Sequence, residues 1–320
     1  MVKNIIKFAP IYKERVWGGR ALEEFYKRDL PDSRVKYGES WEIVDRSTDQ
    51  SVVVDGKYTG KTLNELWTQN KEEIFGKSLP SCDRFPLLLK VLDAREKLSL
   101  QVHPPEILSE KLKAEPKTEM WYVAEASNQA VIYYGLKDDV TESDFKKSIE
   151  LGSLEDKIKS FPVVKGDFIF LPSGCLHAIG EGIVIFEIQQ NSDTTFRVYD
   201  WGRLGTDGKP RKLHEEQSLM SIDFEDNTPF MGSAENGALI KCPYFNVDIL
   251  TLEVGGRSNF KESSNFAIYI VAEGLVRLGD VRFQSGDFFI YPFDELESSI
   301  NFQADKKSTI LRTTIPQVVN

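Results

Sequence analysis

Two segments of this chain share one pattern, and that pattern limits what the whole can fold into. Gly166-Asp167-Phe168-Ile169-Phe170-Leu171-Pro172 is matched by Gly286-Asp287-Phe288-Phe289-Ile290-Tyr291-Pro292. Ahead of each lies a second matched stretch in the same order, Tyr122-Val123-Ala124-Glu125-Ala126 and Ile270-Val271-Ala272-Glu273-Gly274. Apolar runs this short, bounded by Gly and Pro, read as buried strands rather than helices. The first copy carries about 28 extra residues between its matches, the size of the charged, helically patterned stretch 138–160, which reads as a surface insertion. One β unit is therefore expected to occur twice.

The rest of the chain agrees with a fold of many short strands. Trp41–Val44 and Ser51–Val54 read as strands, with Asp55-Gly56 as a hairpin-type turn. Thr62 is placed to N-cap a helix whose apolar positions 63, 66, 67 and 74 keep helical spacing. Phe85–Leu92 is a nearly continuous apolar strand, and Leu98–His103 alternates and is closed by Pro104-Pro105. A short helix is expected over 105–114, and 120–126 with 130–134 reads as a strand pair turning at Ser127-Asn128. Strands resume at 168–171 and 183–189. From 204 to 238 the composition shifts to Gly, Asp, Asn, Ser and Pro, with a helical piece near 215–222, so this stretch reads as the interdomain connection. The expected organisation is mainly β: two jelly-roll β-barrel domains, 1–235 and 236–320, decorated with a few helices.

A formal charge of −10 argues against a nucleic-acid partner, because phosphate backbones need a basic face. Three scattered cysteines make no disulfide framework and suit a reducing compartment. The N-terminus lacks the apolar core of a signal peptide, and no apolar run approaches the roughly 20 residues of a membrane span. The expected protein is soluble and cytoplasmic, without a membrane partner, and either a monomer or a weak dimer.

The two copies diverge where chemistry would sit. His177 follows Pro172 by five residues, whereas Glu297 holds that position after Pro292; Glu119 stands where the second copy has Ala267. Of the three histidines, His103, His177 and His214, the first two end short strands of the same barrel, and Gln101 sits two residues before His103. Residues i and i+2 on a strand share a face, so Gln101 and His103 can both point inward, with Glu119 opening the next strand. Two imidazoles, a carboxylate and an amide oxygen make a first shell for a divalent metal with an open position. The domain 1–235 is thus expected to carry the metal site and 236–320 to be metal-free. His214 is expected to cap or pack a helix, with the cleft wall as its alternative place, and Cys175 to be a small packing residue.

The spacing Gly166-x5-Pro172-x-Gly174-x2-His177 resembles the second motif of the cupin superfamily, and Gln101-Val102-His103 with a distant Glu119 resembles its first, with Gln replacing the usual first His. Leu98–Pro104, Lys117-Thr118-Glu119-Met120, the opening 10–19, Gly38-Glu39-Ser40-Trp41-Glu42 and the stretch 187–201 are similar to the type I mannose-6-phosphate isomerases, in their short bacterial form, over essentially the whole chain. The resemblance implies one zinc ion on Gln101, His103, Glu119 and His177, with Arg197 as the active-site arginine and a phosphorylated sugar as substrate. It implies interconversion of mannose 6-phosphate and fructose 6-phosphate through an enediol, which needs an electrophile, a base and a phosphate anchor. Arg197 suits the enediolate or the phosphate. Lys117, two residues from Glu119, suits a base or a phosphate contact, and as a base it would need a depressed pKa. Ser99 shares a face with Gln101 and offers a hydroxyl to the phosphate. The competing readings are an iron-dependent dioxygenase of the same superfamily and a non-catalytic sugar-binding or regulatory cupin.

Overall fold

Both copies of the repeated segment are built by the same hydrogen bonds. In the computed structural model, which describes residues 5–226, 228–258, 260–261, 265–293 and 299–317, Asp167 accepts from the Val164 amide at 2.9 Å and Asp287 from the Gln284 amide at 2.8 Å. Gly166 donates to Val123 O and Gly286 to Val271 O, two residues that the sequence match pairs. Both glycines sit at positive φ, 95° and 87°, where a side chain would be strained. Each following strand then pairs antiparallel with the earlier matched stretch, so that Glu119 lies opposite Leu171 and Ala267 opposite Tyr291. Glu119 and Ala267 are therefore structural equivalents, as the alignment has them. Glu297 lies outside the described residues.

The chain is mainly β with short helices and divides into two compact units. One comprises residues 12–40 and 90–233, the other 1–11, 41–89 and 234–320. This differs from a single cut after 235, because residues 41–89 group with the C-terminal stretch. The reason is aromatic packing: Phe75 and Phe85 lie 5.0 and 5.7 Å from the Phe266 ring, and Trp67 is edge-on to both. Thr62 caps the helix Leu63–Gln69 in a capping box with Glu65 and so helps to place Trp67. In this unit a five-stranded sheet takes the order Gly237–Lys241, Asn246–Leu252, Ser308–Thr314, Ala267–Glu273, Phe288–Tyr291.

The other unit is built on two sheets. The larger runs in the order β1 (Ile11–Gly19), β2 (Tyr37–Ile43), β3 (Leu87–Ala94), β10 (Ile183–Gln190), β5 (Glu119–Ala126), β8 (Asp167–Leu171), β12 (Phe230–Ser233). The smaller runs β11 (Phe196–Tyr199), β4 (Leu100–Val102), β9 (His177–Ile179), β6 (Val131–Leu136), β7 (Ile158–Pro162). Two expectations change here. Strands 120–126 and 130–134 do not pair with each other: β5 lies in the larger sheet and β6 in the smaller, with Ser127 bonded across to Gly182 instead. The stretch 138–160 contains a helix, Glu142–Leu151, but its end is the edge strand β7.

The core explains which residues face the site. Trp17, Leu92, Ala94, Trp121, Val123, Ile132, Tyr134, Ile169, Ile179 and Ile185 come from both sheets and fill one buried cluster. On the other side of the smaller sheet, Leu100, Val102, Phe196 and Val198 pack with Phe145, Leu154 and Ile222. Because side chains alternate, Gln101 and Arg197 must point away from that second cluster. In the larger sheet each inward row changes from apolar to charged along the strand. Trp17 gives way to Arg15, Leu92 to Lys90, Ile185 to Glu187 and Trp121 to Glu119, each at the two-residue interval of one face.

Candidate metal centre and active-site cavity

His103, Glu119 and His177 are buried, and each offers one ligand atom within 4.8 Å of the others. One turn sets both rings. Pro172 O accepts from Cys175, Gly174 at φ 99° donates to His103 O, and Cys175 O faces His177 Nδ1 at 3.0 Å. His103 Nδ1 faces Thr194 O at 2.8 Å. A carbonyl accepts only, so Nδ1 carries the proton on each ring and each Nε2 presents a lone pair. Burial, reinforced by the neighbouring Lys117 charge, holds both imidazoles neutral, His103 well below its ordinary range and His177 at about 3.

Those lone pairs converge on the Glu119 carboxylate, with His177 Nε2 3.3 Å from Oε1 and His103 Nε2 3.6 Å from Oε2. These are not ion pairs, because neither Nε2 carries a hydrogen, and Glu119 Oε1 accordingly has no hydrogen-bond donor. Two imidazole lone pairs and a buried carboxylate with one orphaned oxygen fit a divalent cation. Gln101 pairs across the strands with His177, and its Nε2 lies 3.2 Å from His177 Nε2. The amide is thus adjacent to the cluster and in this rotamer directs its NH₂ at the ring.

Lys117 joins the cluster to a buried chain of charge. Its amide bonds to Ser173 Oγ and that of Thr118 to Gln190 Oε1, which anchors the segment ahead of β5. Lys117 Nζ contacts Glu119 Oε2 and lies 3.4 Å from both His103 Nε2 and Glu187 Oε1. Lys90 continues the series, 3.3 Å from Glu187 and 4.0 Å from Glu39, and Arg15 closes it with a 2.8 Å bond to Glu39. Six groups alternate in sign across five strands. Burial pulls the Lys117 ammonium down, but Glu119 and Glu187 outweigh it and hold its pKa above the ordinary lysine value. Burial pushes the Glu119 carboxyl up despite Lys117, whereas Lys117 and Lys90 together overcome burial at Glu187 and keep it ionised. The raised Lys117 pKa is opposite to what a resting base requires.

A cavity of about 470 Å³ lies against this chain, in the size range of small-molecule sites. Ser99, Gln101, Lys117 and Arg197 all line it, as do Lys90, Glu187, Glu39, Arg15 and Arg211. His103, Glu119 and His177 stand behind Lys117 and Gln101. Arg197 lies directly across from Gln101 in the β11–β4 pairing. Its Nη1 bonds to Lys212 O, and its buried Nε has no partner. His214 Nδ1 accepts from the Arg197 amide and its own amide donates to Arg197 O, so it packs before the helix Glu215–Ser221 without a side-chain cap. Cys175 lies between Tyr134 OH at 2.9 Å and Asp226 Oδ2 at 2.8 Å, a packed and hydrogen-bonded thiol. Lys90 and Glu187 were overlooked as site residues. The available signal was a charge with apolar neighbours on both sides, Lys90 in LLLKVLDA and Glu187 in IVIFEIQQ, which requires a buried partner.

Comparison with known proteins places this geometry. Residues 5–148 match the family model described as phosphomannose isomerase type I, catalytic domain. The chain is 39% identical over 302 residues to the mannose-6-phosphate isomerase ManA of Bacillus subtilis, covering 92% of this chain and 91% of that one. It is 36% identical over 290 residues to the mannose-6-phosphate isomerase of Streptococcus mutans, covering 87% and 89%. The crystal structure of the mannose 6-phosphate isomerase from Bacillus subtilis superimposes with a TM-score of 0.81 at 30% identity, over 98% of this chain and 100% of that one. With the fold, the His/Glu/His cluster and near full-length similarity in agreement, the chain belongs to the type I phosphomannose isomerase family.

Proposed function

We propose that this protein interconverts mannose 6-phosphate and fructose 6-phosphate by proton transfer between C1 and C2, with one zinc ion held by His103, Glu119 and His177. The observation that carries the reading is the convergence of two unprotonated Nε2 atoms on the two oxygens of one buried carboxylate, beside a charged cavity, in a chain of this family. Gln101 becomes a fourth donor if its amide turns the oxygen toward the cluster. When bound, such an ion supplies a Lewis acid for the sugar oxygens.

The chain's own residues supply the rest. Lys117, held charged, donates a proton or a hydrogen bond to an oxygen bearing developing negative charge. Glu187, the ionised carboxylate beside it, is the acceptor for the carbon-bound proton, and their 3.4 Å separation lets one proton pass between them. Arg197 holds substrate through its fork, and Ser99 adds a hydroxyl at the same wall. Outside this site no other cluster of three potential metal ligands occurs among the described residues; the unit of residues 1–11, 41–89 and 234–320 is taken here as scaffold. Among the described residues no helix is long and apolar enough to cross a membrane, and we place the enzyme in the cytoplasm.

The test is conversion of mannose 6-phosphate before and after chelation, with metal returned. Loss on chelation and recovery with zinc support the reading. No conversion by the zinc-loaded protein, or iron-dependent oxygen uptake instead, would overturn it.

A further inference from the structure

The loop after β11 carries side chains that the mechanism above does not use. Trp201 and Gly202, at φ 57° and 70°, turn the chain back, and a bridge between Leu204 and Pro210 closes a small loop. Within it Gly205 donates to Lys209 O at 2.7 Å and Gly208 to Gly205 O at 3.0 Å. Gly205, Thr206, Asp207 and Arg211 thereby reach the cavity wall shared with Arg15 and Arg197. A Cβ on Gly205 would lie 3.3 Å from Arg211 Cγ, so the turn also packs the arginine's stem.

Arg211 is held at its base and open at its tip. Asp200, 6% exposed, accepts from its Nε at 2.6 Å and Nη2 at 2.5 Å. The same carboxylate accepts from Arg203 at 2.8 Å, and Arg203 is fixed by Lys97 O at 2.7 Å. One carboxylate thus serves two guanidinium groups, which leaves one positive charge unmatched and the Nη1 end of Arg211 unclaimed by Asp200. Arg197 adds another, engaged through Nη1 only by a carbonyl and with a buried Nε lacking any partner. Of the other carboxylates lining this cavity, Glu14, Asp193 and Asp207 make no ion pair with Arg197 or Arg211, and Glu39 and Glu187 face Arg15 and Lys90, so the open ends of the two guanidinium groups stay available to a ligand.

We propose that Arg211, positioned by Asp200, is a specificity-determining residue that binds the phosphate monoester of the sugar together with Arg197. Two planar forks on one wall suit a dianion, which accepts several charge-assisted hydrogen bonds at once. An unphosphorylated hexose leaves the open ends of both guanidinium groups without an acceptor and binds more weakly. This rests on the isomerase reading for its substrate, but the anion site itself does not depend on turnover.

The experiment compares zinc-loaded wild type, Arg211→Ala, Arg211→Lys and Asp200→Asn, measuring kcat and KM for mannose 6-phosphate and the inhibition constant of inorganic phosphate. In parallel, inorganic phosphate is titrated into chelated wild type and Arg211→Ala by calorimetry. Losing one charge-assisted contact raises KM and the phosphate constant together by about 10–100-fold in Arg211→Ala, with kcat within a few-fold. Arg211→Lys gives an intermediate value because it keeps charge without the fork, and Asp200→Asn raises KM while leaving kcat. Unchanged KM and phosphate binding in Arg211→Ala would overturn the proposal, as would a fall in kcat alone. If wild type fails to turn over mannose 6-phosphate, the isomerase reading fails. Equal phosphate binding by the two chelated proteins would then still refute the role of Arg211.

Discussion

Replacing Glu187 with Gln tests the charge chain at its centre. Glu187 lies 3.3 Å from Lys90 and 3.4 Å from Lys117, with all three side chains almost fully buried. At an effective dielectric of 20 each contact amounts to about 5 kcal/mol of Coulomb attraction, most of it offset by desolvation. Breaking a buried pair by removing one partner typically costs about 3–5 kcal/mol. Lys117 retains Glu119 and Lys90 retains Glu39 at 4.0 Å, so the lower end applies, about 3 kcal/mol. In a unit of this size that corresponds to a fall in melting temperature of roughly 6–12 °C. The informative partner is Lys90→Met, because the double variant removes one charge of each sign and leaves Arg15 with Glu39 and Lys117 with Glu119. It should melt well above the sum of the two single effects, with a coupling of at least about 2 kcal/mol. Calorimetry on chelated protein measures this without metal loss intervening, and high salt should change it little, since buried pairs are weakly screened. Turnover should fall by about 10²–10⁴ in Glu187→Gln for want of a base. Additive single effects, or a Glu187→Gln variant as stable as wild type, would show that Glu187 is not coupled to Lys90 and Lys117 in this way.

Metal affinity should depend on pH through Glu119 rather than the histidines. Both imidazoles are already neutral, whereas burial raises the Glu119 carboxyl, so binding displaces one proton and affinity rises about tenfold per pH unit below that pKa before levelling. A competition titration with a chromogenic chelator across pH 5 to 8 should show a slope of one; a slope of two would return the competition to the histidines. Asp93 accepts from the Ala21 amide and is raised by burial from 3.8 to about 6. A raised carboxyl stabilises the fold at acid pH, and that contribution is lost as pH rises from about 4 through 6, amounting to about 3 kcal/mol. Asp93→Asn should therefore gain stability relative to wild type over that window and hold the gain above it, as read from melting curves at pH 4 to 8.

Much of the site was legible because it is carried by local chemistry. The Gly-Asp turn and the Pro-x-Gly-x-x-His segment fix backbone bonds within a few residues, and those bonds recur in the structure at Asp167 and Asp287. The two-residue alternation placed Ser99 and Gln101 on one face, and both line the cavity. What stayed hidden depends on distant partners. The short link 127–130 looks like a hairpin, but sheet choice is decided by what lies across from each strand, and β5 and β6 go to different sheets. Residues 41–89 join the C-terminal stretch through Phe75, Phe85 and Phe266, far apart in sequence. Lys90 and Glu187 were masked by apolar neighbours, and Arg211 by a stretch whose composition reads as linker.

The most direct measurement is the metal content of purified wild type and His177→Ala by elemental analysis. His177→Ala removes one of three converging donors while leaving the Gly-Asp strand and its turn in place. One zinc per wild-type chain is expected, and for the variant a folded protein with no zinc and no turnover. A folded His177→Ala protein that retains stoichiometric zinc and full activity would contradict this.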